Sequence, residues 1–403
     1  MNLQTFKNIG HYFNALKAVI LNGQPAKKLT VIGVTGTDGK TTTSHLIAHI
    51  LNQSGKPTTL ISTLNAGLHT TTPNPNKLQK LLKKAVKEKK QYAVIEATSH
   101  GLNQNRLLGC NLKIGALTNV TPEHLDYHNH MKNYLKAKSK LFKKVEVAVL
   151  NKDDKNYNYF KNKTNPKAEI VSYSIKKPAR FKVVKSDQSG NETKFLLQSG
   201  RKKANFQTNL IGKYNLSNIL AAVAVTRKLG VPWEKIEKAV ASYQGITGRM
   251  EYLELDQKFD VIIDFAHTPN ALENALKTLK RTNKNGQIIA VLGCAGQRDY
   301  QKRPEMGKIS TKLADLTIFT AEDPRNENVN EIISQMTAGI NGDNYLSEPD
   351  RQKAINLAVA KAKPKDTVVI FGKGHEESMC YGNEEKPWSE HQAVKKALSK
   401  RPQ

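Results

Sequence analysis

Eight short apolar runs, set among helix-like stretches, limit what this chain can fold into. Four come early: KLTVIGV, YAVIEA, KIGALTNV and VEVAVL, separated by helical patterns such as Lys77 to Lys89 and Met131 to Phe142. Four more follow Gly248: FDVIIDFA, GQIIAVLG, DLTIFTA and DTVVIFG. That rhythm predicts an α/β protein whose sheets are mostly parallel, with helices as crossovers. Between the two series, Ala168 to Leu210 turns polar and alternating, with turn signals such as DQSGNET, and predicts an antiparallel patch. The stretches NLSNILAAVAVTRKLG and WEKIEKAVASYQ then read as helices. A boundary near residues 245 to 248 divides a central domain, 29-247, from a C-terminal domain, 248-403. A helical segment, 1-28, stands in front. A chain of 403 residues has room for two or three domains.

Charge narrows the ligands. Lys plus Arg is 63 against 35 for Asp plus Glu, a net +28, which favours anionic ligands over cationic ones; a solvated lysine-rich surface is the plainer reading. No long basic tail and no basic patch interleaved with aromatics is present, so nucleic acid is not expected as a partner. Cys110, Cys294 and Cys380 lie far apart with no zinc-like spacing, as in a reduced, cytoplasmic protein. No apolar run reaches the roughly 18 residues of a membrane span. The opening FKNIGHYFNALKAVILNG lacks a small-residue cleavage site and predicts an amphipathic helix docked on the body, without membrane insertion.

The first apolar run leads into VTGTDGKTTTSHLIAHI. A phosphate-binding loop ends in Gly-Lys-Ser/Thr, and Gly39-Lys40-Thr41 is present. The expected first glycine is replaced by Val34, and Gly33 and Gly36 fall out of register. Placement after a strand and before a helix still suits a phosphate cradle. Gly36 and Gly39 let backbone amides approach phosphate oxygens, Lys40 reaches the β and γ phosphates, and the Thr41 hydroxyl is offered to Mg²⁺.

The shortened form, Gly-Thr-x-Gly-Lys-Thr-Thr, resembles that of the Mur ligases, the ATP-dependent amide-forming enzymes of peptidoglycan precursor synthesis. EATSHGLNQNR, TNVTPEHLDYHNHMKNYLKAKSKLF, GKYNLSNILAA, GRMEYLE, DFAHTPNAL, QRDYQKRPEMG, EDPRNE and GKGHEE follow in that family's order. DFAHTP, KRPEMG and GKGHE are similar to the branch adding the third amino acid to UDP-N-acetylmuramoyl-L-alanyl-D-glutamate.

The resemblance implies a P-loop central domain, a Rossmann-like C-terminal domain and a defined chemistry. ATP phosphorylates a carboxylate, and the acyl phosphate accepts an amine through a tetrahedral intermediate. Anions gather in both steps, so cations must be concentrated there. The implied ATP set is Gly36, Thr37, Gly39, Lys40, Thr41 and Thr42, with Asn218 on the base, Arg249 on phosphate, and Asp264 and His267 lining the nucleotide. Two Mg²⁺ ions are implied, held by Thr41, Glu96, His124 and Lys138, the last as a carbamate made from CO₂. Lys40, His124 and Lys138 are the implied catalytic groups. Thr71, Thr72, Thr98, Gln104 and Arg106 fall on acceptor positions. Arg303, Asp323, Arg325, Gly372 and Glu376 fall on positions holding the incoming amino acid, where an Arg clamp suits a diamino-diacid such as meso-diaminopimelate. Distributing the substrates over two domains implies closure.

Taken singly, many of these residues have plainer readings: Glu96 as a solvated or capping acid, His124 as a loop histidine, Asn218 as a helix cap. Lys138 lies among Lys132, Lys136 and Lys140, where a solvated basic face is the ordinary expectation. Five positions also depart from the family pattern: Asp38 for Asn, Ala97-Thr98 for Val-Ser, Gln297 for Asp, and Asp323 for the Asn of DNPR. Only residues 1-28 precede the ATP-binding strand, and the expectation is a form lacking the family's uridine-binding domain. A monomer is the expected state. The alternatives are a Mur-like ligase on another carboxylate (folylpolyglutamate-like, or a polymer amide) and a P-loop ATPase that binds nucleic acid.

Overall fold

The computed structural model describes residues 3-67, 70-190 and 192-401, with side chains from Gly10 onward. Met1, Asn2 and Asn191, which fall in the predicted N-terminal helix and DQSGNET turn, lie outside it. Two compact units emerge, divided between Gln244 and Gly245.

The first unit is built on one nine-stranded sheet. Its strands in chain order are β1 (Thr30–Thr35), β2 (Thr58–Ile61), β3 (Tyr92–Glu96), β4 (Leu112–Leu117), β5 (Val147–Asn151), β6 (Glu169–Ser174), β7 (Phe181–Ser189), β8 (Glu192–Ser199) and β9 (Lys202–Thr208). Across the sheet the order is β2-β3-β1-β4-β5-β6-β7-β8-β9. Pairing is parallel from β2 through β7 and antiparallel only across β7, β8 and β9. The antiparallel patch expected from Ala168 therefore starts one strand later. Strand β6 carries Val171 and Tyr173 into the interior, so it extends the parallel core. From β1 the sheet runs to β3 on one side and β4 on the other. Such a switch point leaves a crevice at the carboxyl ends of the strands, where ligands bind in open α/β sheets.

Helix Lys40–Gln53 opens directly after Gly39. Packed against it is helix Lys213–Lys228, whose NILAAVAV stretch is buried on every side. A helix apolar all round belongs inside a protein, and this one lies over the sheet. The expected helix at Lys77 spans Pro75–Lys87, capped by Asn74, whose side chain accepts from Lys77 N at 2.9 Å. Helix Met131–Ser139 is followed by a 3₁₀ turn, Lys140–Lys143. The N-terminal helix, Leu3–Leu21, docks on helix Pro75–Lys87, burying Ala15, Ala18 and Val19.

The second unit contains β10 (Glu251–Tyr252), β11 (Asp260–Asp264), β12 (Ile288–Leu292), β13 (Leu316–Phe319), β14 (Tyr345–Ser347) and β15 (Thr367–Phe371). Their order is β10-β11-β15-β12-β13-β14, parallel except for β10. Apolar cores cover both faces, one around Leu272, Leu276 and Met306, the other around Ile355, Val359 and Val394. That is why its strands read as continuous rather than alternating apolar runs. A small hairpin, Ser378–Tyr381 with Glu384–Pro387, follows β15.

Candidate active site

In the first unit the site is assembled at the carboxyl ends of β1, β3 and β4. The loop after β1 is clamped by residues from the end of β4. Asp38 N donates to Asn119 Oδ1 at 3.1 Å, Thr37 N donates to Asn119 O at 2.7 Å, and Thr118 Oγ1 donates to Asp38 O at 2.6 Å. A Cβ on Gly36 would collide with Thr118 Oγ1, and one on Gly39, whose φ is 78°, with Asn218 Oδ1. The two glycines are thus needed for the close packing of the loop as well as for access to its amides. Thr41 and the half-buried Thr42 stand in the first turn of the following helix.

Two lysine ammoniums share one carbonyl here. Lys40 Nζ donates to Gly36 O at 3.1 Å and Thr37 O at 2.7 Å, while Lys138 Nζ reaches the same Gly36 O at 2.6 Å. Lys138 is 1% exposed and is no part of a solvated basic face, whereas Lys132 and Lys136 on its helix are exposed. Its position four residues after Tyr134 places both on the inward stripe, with Nζ 4.4 Å from the Tyr134 ring. Burial, and then the neighbouring Lys40, hold the Lys138 amine well below the usual lysine range.

Glu96 ends β3, fully buried. Its carboxylate accepts from Thr41 Oγ1 and from Thr63 Oγ1, each at 3.2 Å. An oxygen-only pair of this kind suits Mg²⁺, which keeps several waters and takes substrate phosphates as ligands. Among the described residues no group of three or more His, Cys, Asp or Glu side chains gathers into a metal cage. His124, in the left-handed region at φ 55°, places Nε2 3.6 Å from Glu123 Oε2. Its ring meets His100, which also packs on Tyr127 and His128. Burial and the positive neighbours His124 and Lys138 press His128 down to about 4, so it is neutral at pH 7.

The residues expected on the acceptor form one hydrogen-bonded group. Thr71 Oγ1 lies within hydrogen-bond distance of Thr63 Oγ1, at 3.0 Å, and Thr72 Oγ1 donates to Glu96 O at 2.7 Å. Thr98 N donates to Thr72 Oγ1, and Thr98 Oγ1 caps helix Ser99–Asn103 by accepting from Gly101 N. Arg106 Nη1 donates to Thr72 O at 2.6 Å and its Nε to Gln104 Oε1 at 2.9 Å. Gln104 in turn donates to Tyr127 OH. Two residues expected on ATP are engaged in the protein itself. Thr37 Oγ1 bonds Thr121 and lies 3.1 Å from Tyr134 OH, and the Asn218 amide donates to Asn215 Oδ1 while accepting from Thr43. Sequence reasoning did not single out Glu123, Tyr134 or Thr63. The first two lie inside a quoted motif, whereas Thr63 carried no signal.

In the second unit, two motifs distant in sequence are pressed together. A Cβ on Gly248 would strike His375 N and the Gly374 backbone, which places GRMEYLE against GKGHEE. Asp264 ends β11, accepting from Met250 N at 2.7 Å and Ala266 N at 2.9 Å; burial raises its carboxyl pKa and the Arg249 charge opposes that. The Arg249 guanidinium lies 4.2 Å from the Phe265 ring, which His267 and His375 also pack against.

At the amine-site positions, Lys373 is the residue that was missed. It is 0% exposed and bridges two expected site residues, donating to Asp323 Oδ1 at 2.8 Å and Glu376 Oε2 at 2.6 Å. Burial lowers its pKa, but Glu376 and Asp323 outweigh that and keep it charged. Asp323 and Arg325 both hold left-handed backbone, φ 41° and 50°, a conformation unfavourable outside glycine and typical of functional loops. Arg325 Nη1 donates to Gly296 O at 2.6 Å. Arg303 is buried, its guanidinium spread over Glu327, Gln335 and Ala295 O. Gly372, at φ 111°, lies against Glu322, whose carboxyl pKa burial raises.

Known proteins resemble this chain in sequence and fold. The family model for the Mur ligase middle domain matches residues 34–226, and that for the Mur ligase glutamate ligase domain matches 248–374. The UDP-N-acetylmuramoyl-L-alanyl-D-glutamate--2,6-diaminopimelate ligase of Bacillus velezensis is 39% identical over 378 residues, covering 90% of this chain and 76% of that protein. A solved structure of a UDP-N-acetylmuramoyl-L-alanyl-D-glutamate--2,6-diaminopimelate ligase is 34% identical, with a TM-score of 0.64 over 92% of this chain and 78% of its own. The folylpolyglutamate synthase of Mycobacterium tuberculosis has a TM-score of 0.76 over 89% of this chain and 92% of its own, and at 16% identity it shares the fold alone. With both family models matched in order and such a relative covered over three quarters of its length, the chain belongs to the Mur ligase family and is a ligase.

Proposed function

We propose that this ligase joins an amino acid, with meso-diaminopimelate preferred, to the D-glutamyl carboxylate of a UDP-N-acetylmuramoyl-L-alanyl-D-glutamate acceptor, converting ATP to ADP and phosphate. The observation that carries the reading is the pair Lys40 and Lys138 on Gly36 O, beside the Thr41–Glu96 contact. It sets the Lys40 charge, a reactive buried amine and hard oxygen donors where an anion must be transferred to an anion.

The acceptor carboxylate attacks the γ-phosphorus, ADP departs, and the amine attacks the acyl carbon with loss of phosphate and a proton. Lys40 neutralises charge building on the β and γ oxygens. Thr41, Glu96, His124 and Lys138 would hold Mg²⁺, two ions on this reading, and that charge would neutralise the remaining phosphate oxygens. The depressed amine of Lys138 adds CO₂ and loses a proton, becoming an anionic carbamate. The cluster of Thr71, Thr72, Thr98, Gln104 and Arg106 positions the acceptor peptide, and Arg325 with Asp323, Glu376 and Gly372 receives the amino acid. On this reading Thr37 and Asn218 contact the nucleotide, Asn218 at the base, Arg249 contacts phosphate, and Asp264 and His267 line the nucleotide.

Mass spectrometry of products from ATP, the UDP-linked dipeptide and a panel of amino acids tests the reading. A tripeptide product with diaminopimelate supports it. ADP release that ignores the amino acid, or a product made only from a folate and glutamate, would reject it.

A further inference from the structure

The N-terminal helix turns apolar side chains in two directions. Ala15, Ala18 and Val19 face the body, and Asn22 Nδ2 reaches Asn76 Oδ1 of helix Pro75–Lys87 at 3.3 Å. The opposite side carries Tyr12, Leu16, Phe13 (62% exposed), Ile20 (64%) and Leu21 (68%). Residues 12, 16 and 20 follow one another at i+4, with 13 beside them, so the exposed group is one stripe rather than scattered positions. Five exposed large apolar side chains on two turns and a half form the kind of patch that marks an interaction surface.

Charge decides what fits it. Residues 1 to 87 contain eleven lysines and a single acid, Asp38. Lys17 borders the stripe on its own helix. On the neighbouring helix, Lys80, Lys83 and Lys87 follow Asn76 at i+4, i+7 and i+11, on the same side, and all are exposed. An apolar stripe rimmed by lysines, with no acid on either helix, is the pattern of a segment that lies in the plane of an anionic lipid surface. Among the described residues no helix is long and apolar enough to cross a membrane, so such a contact is peripheral. A second copy would bring lysines against lysines and is the poorer match.

We infer that the outer face of helix Leu3–Leu21, with the lysines of helix Pro75–Lys87, docks this ligase on an anionic lipid bilayer. The full chain is sedimented with vesicles of phosphatidylglycerol and, separately, of phosphatidylcholine. At least tenfold more protein should go down with the anionic vesicles, and raised salt should weaken that binding without abolishing it. Phe13→Glu with Ile20→Glu should cost tenfold or more, and so should Lys80→Glu with Lys83→Glu and Lys87→Glu. All five side chains are exposed, so melting temperature and ligase activity should stay unchanged. No sedimentation of the wild type with phosphatidylglycerol overturns the inference. Binding kept within twofold by the Phe13/Ile20 variant also overturns it, because the overall charge would then suffice. A wild-type dimer that this variant dissolves, without vesicle binding, assigns the face to a second copy instead.

Discussion

Two lysines, one in each unit, are equally hidden from water and are held in opposite ways. Lys138 meets a carbonyl, an aromatic face and another lysine, and its amine is pushed down. Lys373 meets two carboxylates and keeps its proton. Burial alone therefore does not tell what a lysine does; the sign of its nearest neighbours does. A lysine whose burial outweighs the attraction of nearby acids, here Glu123 and Asp38, becomes a reagent, while one bonded directly to carboxylates becomes a fastener for the groups around it. The first unit is arranged for reaction and the second, around Lys373, for holding a loop in shape.

The sharpest way to break this contrast is to exchange the roles. Lys138→Arg keeps the positive charge and cannot carry CO₂, so kcat should fall by roughly 10⁴, about 5.4 kcal/mol. Intact-protein mass should show the addition of one CO₂ in the wild type and none in the variant. An active Arg variant would remove Lys138 from the chemistry.

Stability should respond the other way. Lys373→Met leaves Asp323 and Glu376 without their cation and should cost about 3–5 kcal/mol in denaturant unfolding. Lys138→Met removes a buried amine whose burial outweighs the attraction of Glu123 and Asp38, and should be neutral or stabilising. The pH signs differ too. Lys138 titrates below its unfolded value, so its burial penalty is present below pH 10.5 and eases as pH rises from its folded pKa. Lys373 titrates above it, so its contribution is intact below pH 10.5 and disappears as pH rises through its folded pKa. Equal losses in the two Met variants would erase the distinction.

A smaller effect concerns selectivity. Arg325→Ala should reduce the preference for diaminopimelate over L-lysine by about 1.5–3 kcal/mol, read as a ratio of kcat/KM values. If the wild type prefers lysine, Arg325 is reading another group.

The smallest effect belongs to His128. Its folded pKa of about 4 lies below the ordinary 6.5, so stability should be undiminished above pH 6.5 and decline as pH falls toward 4. The decline should be under about 2 kcal/mol and should vanish in His128→Phe. A flat profile in the wild type would show that His128 is already solvated.

What the sequence disclosed follows the range of the interactions involved. The apolar runs and the glycine loop were legible because strand burial and a strand-to-helix turn are local. Strands β2, β10 and β14 were not, since edge strands of two to four residues leave too short a pattern. Lys138 shows the limit well. Its stripe with Tyr134 can be read from spacing, but which stripe turns inward is decided by β1 and its loop, a hundred residues earlier. Lys373 stood inside GKGHEE and attracted no role because its partner Asp323 is 50 residues away. Thr37 was read as a nucleotide contact, and its side-chain bond to Thr121 O, 84 residues away, had no local signature in the sequence.

The strand order of the second unit has a consequence for synthesis. Strand β15 is the last of its sheet to leave the ribosome, yet it lies in the middle, between β11 and β12. Until Thr367–Phe371 arrives, both neighbours present unpaired edges, which invite chaperones, proteases or intermolecular pairing. The first unit has no such delay, because every partner of its central strand β1 is made by Leu117. A nascent chain therefore passes through a stage with a closed centre in its first sheet and an open second sheet, and chains released at that stage should be the ones that aggregate.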